Sequence, residues 1–234
     1  MYIDVNNIKI YYEVLGEGKP IILLNPNSVN TGSMNFIAKT LSRDFKVYKF
    51  DRRGCGKSER NCPLTYEESA KDIYEFIKKL NIDKPYLLGS SGGAGVALNV
   101  AINYPDSISK LVTCSGVARY SKMVFSSFSQ KIRKLTFLKS VRNAEKFYKL
   151  NETAKELTLE DLSKITVPTL VVNGGKKDIV PIEEAEYLAS SITNSELLIL
   201  GNEGHFSYVL NCKWYDRLKE FLNKWYKRTE NIRL

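Results

Sequence analysis

Apolar and polar residues alternate along this chain with two periods, and the order in which those periods follow one another predicts the fold. From Tyr2 to Val14 the pattern alternates residue by residue around Asn6-Asn7, which predicts an antiparallel hairpin closed by an Asn-rich turn. Beyond Gly16 and Gly18, the run Ile21-Ile22-Leu23-Leu24 has no polar face and reads as a fully buried strand that stops at Asn25-Pro26. A helical stretch near Ser33 to Leu41 follows, then a strand from Lys46 to Phe50, ended by Asp51-Arg52-Arg53-Gly54. Thr65 and Glu68 have the spacing of a capping box, and Ala70, Ile73, Ile77 and Leu80 line one face of the helix that it opens.

The rhythm continues through the strand Tyr86-Leu87-Leu88, a helix from Ala94 to Ile102 and a strand from Lys110 to Thr113. It resumes with a strand from Thr169 to Val172, a helix from Ile182 to about Ala189, a strand from Leu197 to Leu200, and a final amphipathic helix built on Tyr208, Tyr215, Leu218 and Leu222. Parallel neighbours need crossovers of a dozen or more residues, so strands alternating with helices predict an α/β fold, a mostly parallel central sheet with helices on both faces. Between Pro85 and Pro105 no residue is charged, about the length that crosses a bilayer. Its clustered glycines, two serines and two asparagines predict instead a buried strand, a tight turn and a buried helix. The strand rhythm breaks only over residues 117–165, where Val124, Phe128, Ile132, Leu135 and Leu138 recur at helical spacing. The expected organisation is therefore a core of residues 1–116 and 166–234, interrupted by a short helical lid, 117–165.

Composition narrows the class. A chain of 234 residues, 43% hydrophobic and 26% charged, is one soluble globular domain and excludes a collagen, a disordered chain or a disulfide miniprotein. Cys55, Cys62, Cys114 and Cys212 form no CxxC pair, and Met1-Tyr2-Ile3-Asp4-Val5-Asn6 has neither the basic start nor the apolar stretch of a signal peptide. Free thiols in a reducing, cytoplasmic setting are expected. With a single histidine, at position 205, no metal site is expected.

Three segments carry the candidate chemistry. Gly89-Ser90-Ser91-Gly92-Gly93 fits G-x-S-x-G between a buried strand and a helix, where glycines permit a sharp turn that exposes the central serine at the carboxyl end of a sheet. A serine hydroxyl is a weak nucleophile and needs a base, itself held by a carboxylate. His205 follows the last strand, behind Gly204. Two carboxylates compete to orient it: Asp178, in the loop after Thr169 to Val172, and Glu203, two residues before the histidine. Asp178 is preferred, because a near neighbour in the same loop seldom reaches the far ring nitrogen.

Together with Asp51-Arg52-Arg53-Gly54-Cys55-Gly56-Lys57-Ser58, similar to D-x-R-G-x-G-x-S, the helix exit Asn103-Tyr104-Pro105-Asp106, and the segments Pro168 to Pro181 and Gly204-His205, these residues resemble the α/β-hydrolase family over nearly the whole chain outside the lid. The resemblance implies Ser91 as nucleophile, His205 as general base and Asp178 as its orienter, with Asp51 and Arg53 organising a loop and no cofactor. It also argues against epoxide opening and halide displacement, whose family branches carry Asp in place of Ser91. Acyl transfer to water remains: esters, lactones, thioesters, and less often amides or C–C bonds next to a carbonyl. The chain departs from the family where His-Gly often follows the first parallel strand, for here stands Asn25-Pro26-Asn27-Ser28. An oxyanion hole needs two N–H donors; Gly92 supplies one, and since Pro26 has none, Asn27 is the expected second, ahead of Ser28. This departure keeps a second class open, a ligand-binding or signalling protein with weak turnover.

Charge is localised. Of the formal +9, residues 121–150 hold Lys122, Lys131, Arg133, Lys134, Lys139, Arg142, Lys146 and Lys149 against Glu145 alone, and residues 213–234 hold seven bases against three acids. The body is nearly neutral. A basic lid suits an anionic small-molecule substrate or a solvated face; no nucleic-acid module appears and no stable membrane insertion is expected. The motif around Arg53 also resembles the proline iminopeptidases, expected to hold a substrate amine with lid acids, which this lid nearly lacks.

Overall fold

The computed structural model describes residues 1–123, 139–205 and 214–224. Asn6 and Asn7, both at positive φ (45° and 60°), close the turn between β1 (Tyr2–Val5) and β2 (Ile8–Leu15), the conformation that a two-residue hairpin demands and asparagine tolerates. Six further strands, β3 (Lys19–Leu24), β4 (Phe45–Phe50), β5 (Tyr86–Ser90), β6 (Lys110–Cys114), β7 (Thr169–Asn173) and β8 (Ser195–Ile199), complete one sheet in the order β1-β2-β4-β3-β5-β6-β7-β8. Strands β3 to β8 are mutually parallel, while β1 and β2 pair antiparallel at one edge.

Both faces are covered. On one, Ile22, Leu24, Tyr48, Phe50 and Leu87 pack against α2 (Tyr66–Lys79) and α3 (Gly92–Asn103), with Phe76 meeting Tyr12, Tyr48 and Phe50 edge-on at 5.0–6.0 Å. On the other, Ile21, Leu23, Val47 and Val112 pack against α1 (Asn35–Leu41) and the C-terminal helix Tyr215–Asn223. Consecutive residues of β3 thus serve opposite cores, which explains its unbroken apolar run. The uncharged stretch from Pro85 to Pro105 is β5 with α3, and no helix among the described residues is long and apolar enough to cross a membrane.

Two details differ from the sequence reading. Thr65 caps α2 by accepting from the Glu68 N–H at 3.0 Å, but the reciprocal bond of a capping box is absent: the Glu68 carboxylate accepts from Asn6 Nδ2 and pairs with Arg53 instead. The last strand starts at Ser195 rather than Leu197 and lies at the sheet edge, leaving Leu197 40% exposed.

Between β6 and β7 the described residues form a short 3-10 turn (Tyr120–Lys122), α4 (Lys139–Thr153) and α5 (Leu159–Ser163); α6 (Ile182–Ser191) follows β7, and Tyr215–Asn223 is α7. The predicted lid helix on Val124, Phe128, Ile132, Leu135 and Leu138, the bases Lys131, Arg133 and Lys134, and also Tyr208 and Cys212, lie outside the described residues. Cys55, Cys62 and Cys114 are free thiols.

At the amino end of β6, the buried Lys110 donates from Nζ to the carbonyls of Phe221, Leu222 and Lys224 at 2.6–2.8 Å, closing the carboxyl terminus of α7, where cations are favoured. Lys110→Met leaves those carbonyls without this donor, so a loss of about 2 kcal/mol of stability is expected, or about 4–8 °C in Tm. Urea and thermal melts read it, and an unchanged midpoint would remove Lys110 from the fold's supports.

Candidate active site

The parallel strands place their outgoing loops along one edge. The chain leaves β3 toward β4 on one side and returns to β5 on the other, so the loops after β3 and β5 face each other across a topological switch point, the place where open α/β sheets form sites. The loop after β3 is Asn25–Ser28, and the residue after β5 is Ser91.

Ser91 sits at φ 53°, ψ −119°, a left-handed conformation costly for a residue with a side chain. Its neighbours enforce it. The Ser91 N–H donates to Cys114 O at 2.8 Å, and its carbonyl accepts from the Ala94 and Gly95 N–H groups at the start of α3. A Cβ on Gly89 would stand 2.2 Å from Gly93 O, and one on Gly93 would stand 2.3 Å from Leu24 O. This is the steric reason for the outer glycines of the motif.

Ser91 Oγ lies 2.8 Å from His205 Nε2, and His205 Nδ1 lies 2.6 Å from Asp178 Oδ1. Asp178, whose side chain is sealed from solvent, is therefore the carboxylate on the far ring nitrogen. Its two oxygens are saturated by donors: Oδ1 also accepts from the Val180 N–H, and Oδ2 accepts from the Gly174 N–H and the Ser115 hydroxyl. Burial pushes this carboxyl up, but His205, Ser115 and Val180 outweigh it and hold it below the ordinary carboxylate range. An ionised Asp178 puts the imidazole proton on Nδ1 and leaves Nε2 to accept the Ser91 proton. Ser115 was not singled out by sequence reasoning. The available signal was its position, the first residue past β6, beside the β7 loop.

On the opposite side, the Asn27 amide lies over Gly92, where a Cβ would stand 2.0 Å from Asn27 Oδ1. The amide is held by Arg52, which donates from Nη2 to Asn27 Oδ1 at 2.8 Å and from Nε to Asn25 O at 2.9 Å. From α4, Asn151 Oδ1 accepts from Tyr66 Oη at 2.7 Å and from Asn27 Nδ2 at 3.4 Å. Ser28 is exposed, at φ 64°. Asp51 and Arg53 do not reach Ser91: Asp51 ties down the backbone N–H groups of Thr31 and Lys57, and Arg53 forms a two-pronged pair with Asp72 of α2 at 2.6–2.7 Å.

The model of the alpha/beta hydrolase fold family matches residues 20–140, more than half of the chain, and the chain belongs to that family. It is 29% identical to mouse (Mus musculus) "Serine hydrolase BPHL" across 93% of this chain and 84% of that one. Among solved structures it resembles the enol-lactonase from Burkholderia xenovorans LB400, with a TM-score of 0.80 and 20% identity over 96% of this chain and all of the other. It also resembles the meta-cleavage product hydrolase from Pseudomonas fluorescens IP01, with a TM-score of 0.73 and 20% identity over 95% of this chain and 97% of that one. The protein is an α/β hydrolase enzyme.

Proposed function

We propose that this enzyme is a serine hydrolase that cleaves a small or medium carboxylic ester, lactone or thioester through an acyl-enzyme, with Ser91 as nucleophile, His205 as general base and Asp178 as its orienter. The observation that carries this reading is the unbroken chain of short contacts from Ser91 Oγ through His205 to Asp178. In the first half-reaction Ser91 Oγ bonds to the substrate carbonyl carbon and its proton passes to His205 Nε2. The carbonyl electrons move to an oxyanion held by the N–H groups of Gly92 and Asn27. As the oxyanion collapses, the bond to the leaving alcohol breaks and His205 returns the proton to it. Water then attacks the acyl carbon, His205 takes a proton from it, and collapse frees the acid and restores Ser91. The second donor is assigned to Asn27 because its side chain is anchored on Gly92 by Arg52, which steadies the backbone of a loop that lacks the usual glycine.

Residues 117–165 serve in this reading as a short lid, supported by the contact of Asn151 in α4 with Tyr66 and Asn27 at the loop edge. The setting is cytoplasmic, supported by the free thiols. The substrate range follows the chemistry of an acylated serine, and relatives bearing lactonase and meta-cleavage hydrolase names keep lactones and C–C bonds beside a carbonyl in the panel. A second reading, a ligand-binding protein with weak turnover, draws on the Asn25-Pro26-Asn27 loop. A fluorophosphonate probe separates the two: covalent labelling at Ser91 is expected at micromolar probe, and a folded protein that takes no label would favour the second reading.

A further inference from the structure

Two arginines stand side by side after β4 and meet different fates. Arg53 is neutralised by Asp72 and Glu68. Arg52 is only 1% exposed, yet no carboxylate among the described residues lies within ion-pair distance of it. Its described side-chain acceptors are both neutral, Asn25 O and Asn27 Oδ1, so three of its five N–H groups have no described acceptor. Thr113 Oγ1 and Tyr120 Oη are fully sealed side-chain atoms without a well-aligned hydrogen bond among the described residues. Bracing the Asn25 and Asn27 loop needs two donors but no charge. A buried guanidinium with no ion-pair partner among the described residues is costly in the free protein, and the brace does not account for it.

Its surroundings adjoin the nucleophile. Gly92 and Gly95 lie three residues apart, on one face of the first turn of α3. Asn27, held by Arg52, covers Gly92, while Tyr66 and the Tyr120 hydroxyl cover Gly95, 2.6–2.7 Å from where a Cβ would stand. The two tyrosine rings stack at 4.9 Å, and Tyr120 Oη, beside the Tyr66 hydroxyl, makes no well-aligned hydrogen bond among the described residues. Burial raises both hydroxyls above the ordinary tyrosine range, with the Arg52 charge acting in the opposite direction on each. The polar capacity of this corner, beside Ser91, exceeds what the described residues satisfy.

We infer that Arg52, flanked by Tyr66 and Tyr120, receives a carboxylate of the substrate, so that the preferred substrates are esters or lactones carrying an acidic group besides the scissile bond. This rests on the serine-hydrolase reading and adds the substrate class. The test compares p-nitrophenyl butyrate with p-nitrophenyl hemiglutarate. The wild-type enzyme is expected to favour the hemiglutarate in kcat/KM, and Arg52→Gln to reduce that preference about thirtyfold, chiefly through KM, with Arg52→Lys in between. A wild-type enzyme without the preference, or an Arg52→Gln variant that lowers both esters equally, overturns the inference; the latter makes Arg52 a brace of the oxyanion loop alone. A second arm needs no Arg52 variant and no turnover: Ser91→Ala protein is titrated calorimetrically with glutarate and with neutral glutaramide. Selective, salt-sensitive glutarate binding supports the carboxylate site even if no ester is hydrolysed, whereas equal binding or none of either, with butyrate still cleaved by the wild type, sinks the site and leaves the hydrolase standing.

Discussion

Ser91→Ala is expected to lower kcat/KM for a short-chain p-nitrophenyl ester by about 10⁴-fold or more, to the residual rate left by binding and oxyanion donors. The magnitude follows from the loss of a covalent route: without Oγ no acyl-enzyme forms, and His205 can only assist water directly. The same change is expected to leave the fold intact. Alanine and serine bear the same Cβ in the strained conformation at φ 53°, and the backbone bonds to Cys114 O and from Ala94 and Gly95 are untouched, so the unfolding free energy read from a urea melt should change by no more than about 1 kcal/mol. Retention of ester turnover by a folded Ser91→Ala protein would remove Ser91 from the mechanism.

The second large effect is expected at Asp178→Asn, a fall of about 10³–10⁴-fold in kcat at neutral pH. All four described partners of this side chain face it as donors: Ser115 and Gly174 at Oδ2, Val180 and His205 at Oδ1. An asparagine must turn its NH2 toward one of these pairs. With the amide oxygen kept on Ser115 and Gly174, the NH2 meets the Val180 N–H head-on and donates to His205 Nδ1, forcing the proton onto Nε2, where it can no longer accept from Ser91. The pH dependence has a definite sign. The folded-state value of Asp178 lies below its unfolded one, so its contribution to stability is full above about pH 4, the ordinary aspartate value, and is lost as pH falls through the lowered folded value. Acid unfolding of Asp178→Asn should lack that part of the slope. A variant with kcat within tenfold of wild type would show that His205 is oriented by another group.

Much of the scaffold was legible because it is written locally. Period two around Asn6-Asn7, the apolar run of β3 and the helical spacing of Ala70, Ile73 and Ile77 each report a short-range choice between strand and helix, and turn residues mark where each ends. Errors fell where local signals compete with distant partners. Glu68 has the spacing of a capping box, but Arg53 and Asn6, remote in sequence or brought in by the hairpin, take its carboxylate. The pattern sets the start of β8 at Leu197 rather than Ser195 because an edge strand with one open face carries a weak pattern.

The sequence by itself determined the alternating α/β architecture, the strained serine turn and the three segments from which Ser91, Asp178 and His205 come, since strand period, glycine spacing and chain order are properties of neighbours along the chain. Only the tertiary structure decided which carboxylate meets His205 Nδ1, that Ser115 steadies it, and that Asn27 lies on Gly92. These depend on the strand order, with β3 seated between β4 and β5 and β6 beside β7, and hydrogen bonds form between groups within about 3 Å whatever their separation in sequence. Arg52 and Arg53 make the point most directly: adjacent and identical in the sequence, they take different partners, Arg53 an ion pair with Asp72 and Arg52, with no counter-ion among the described residues, the loop beside the nucleophile.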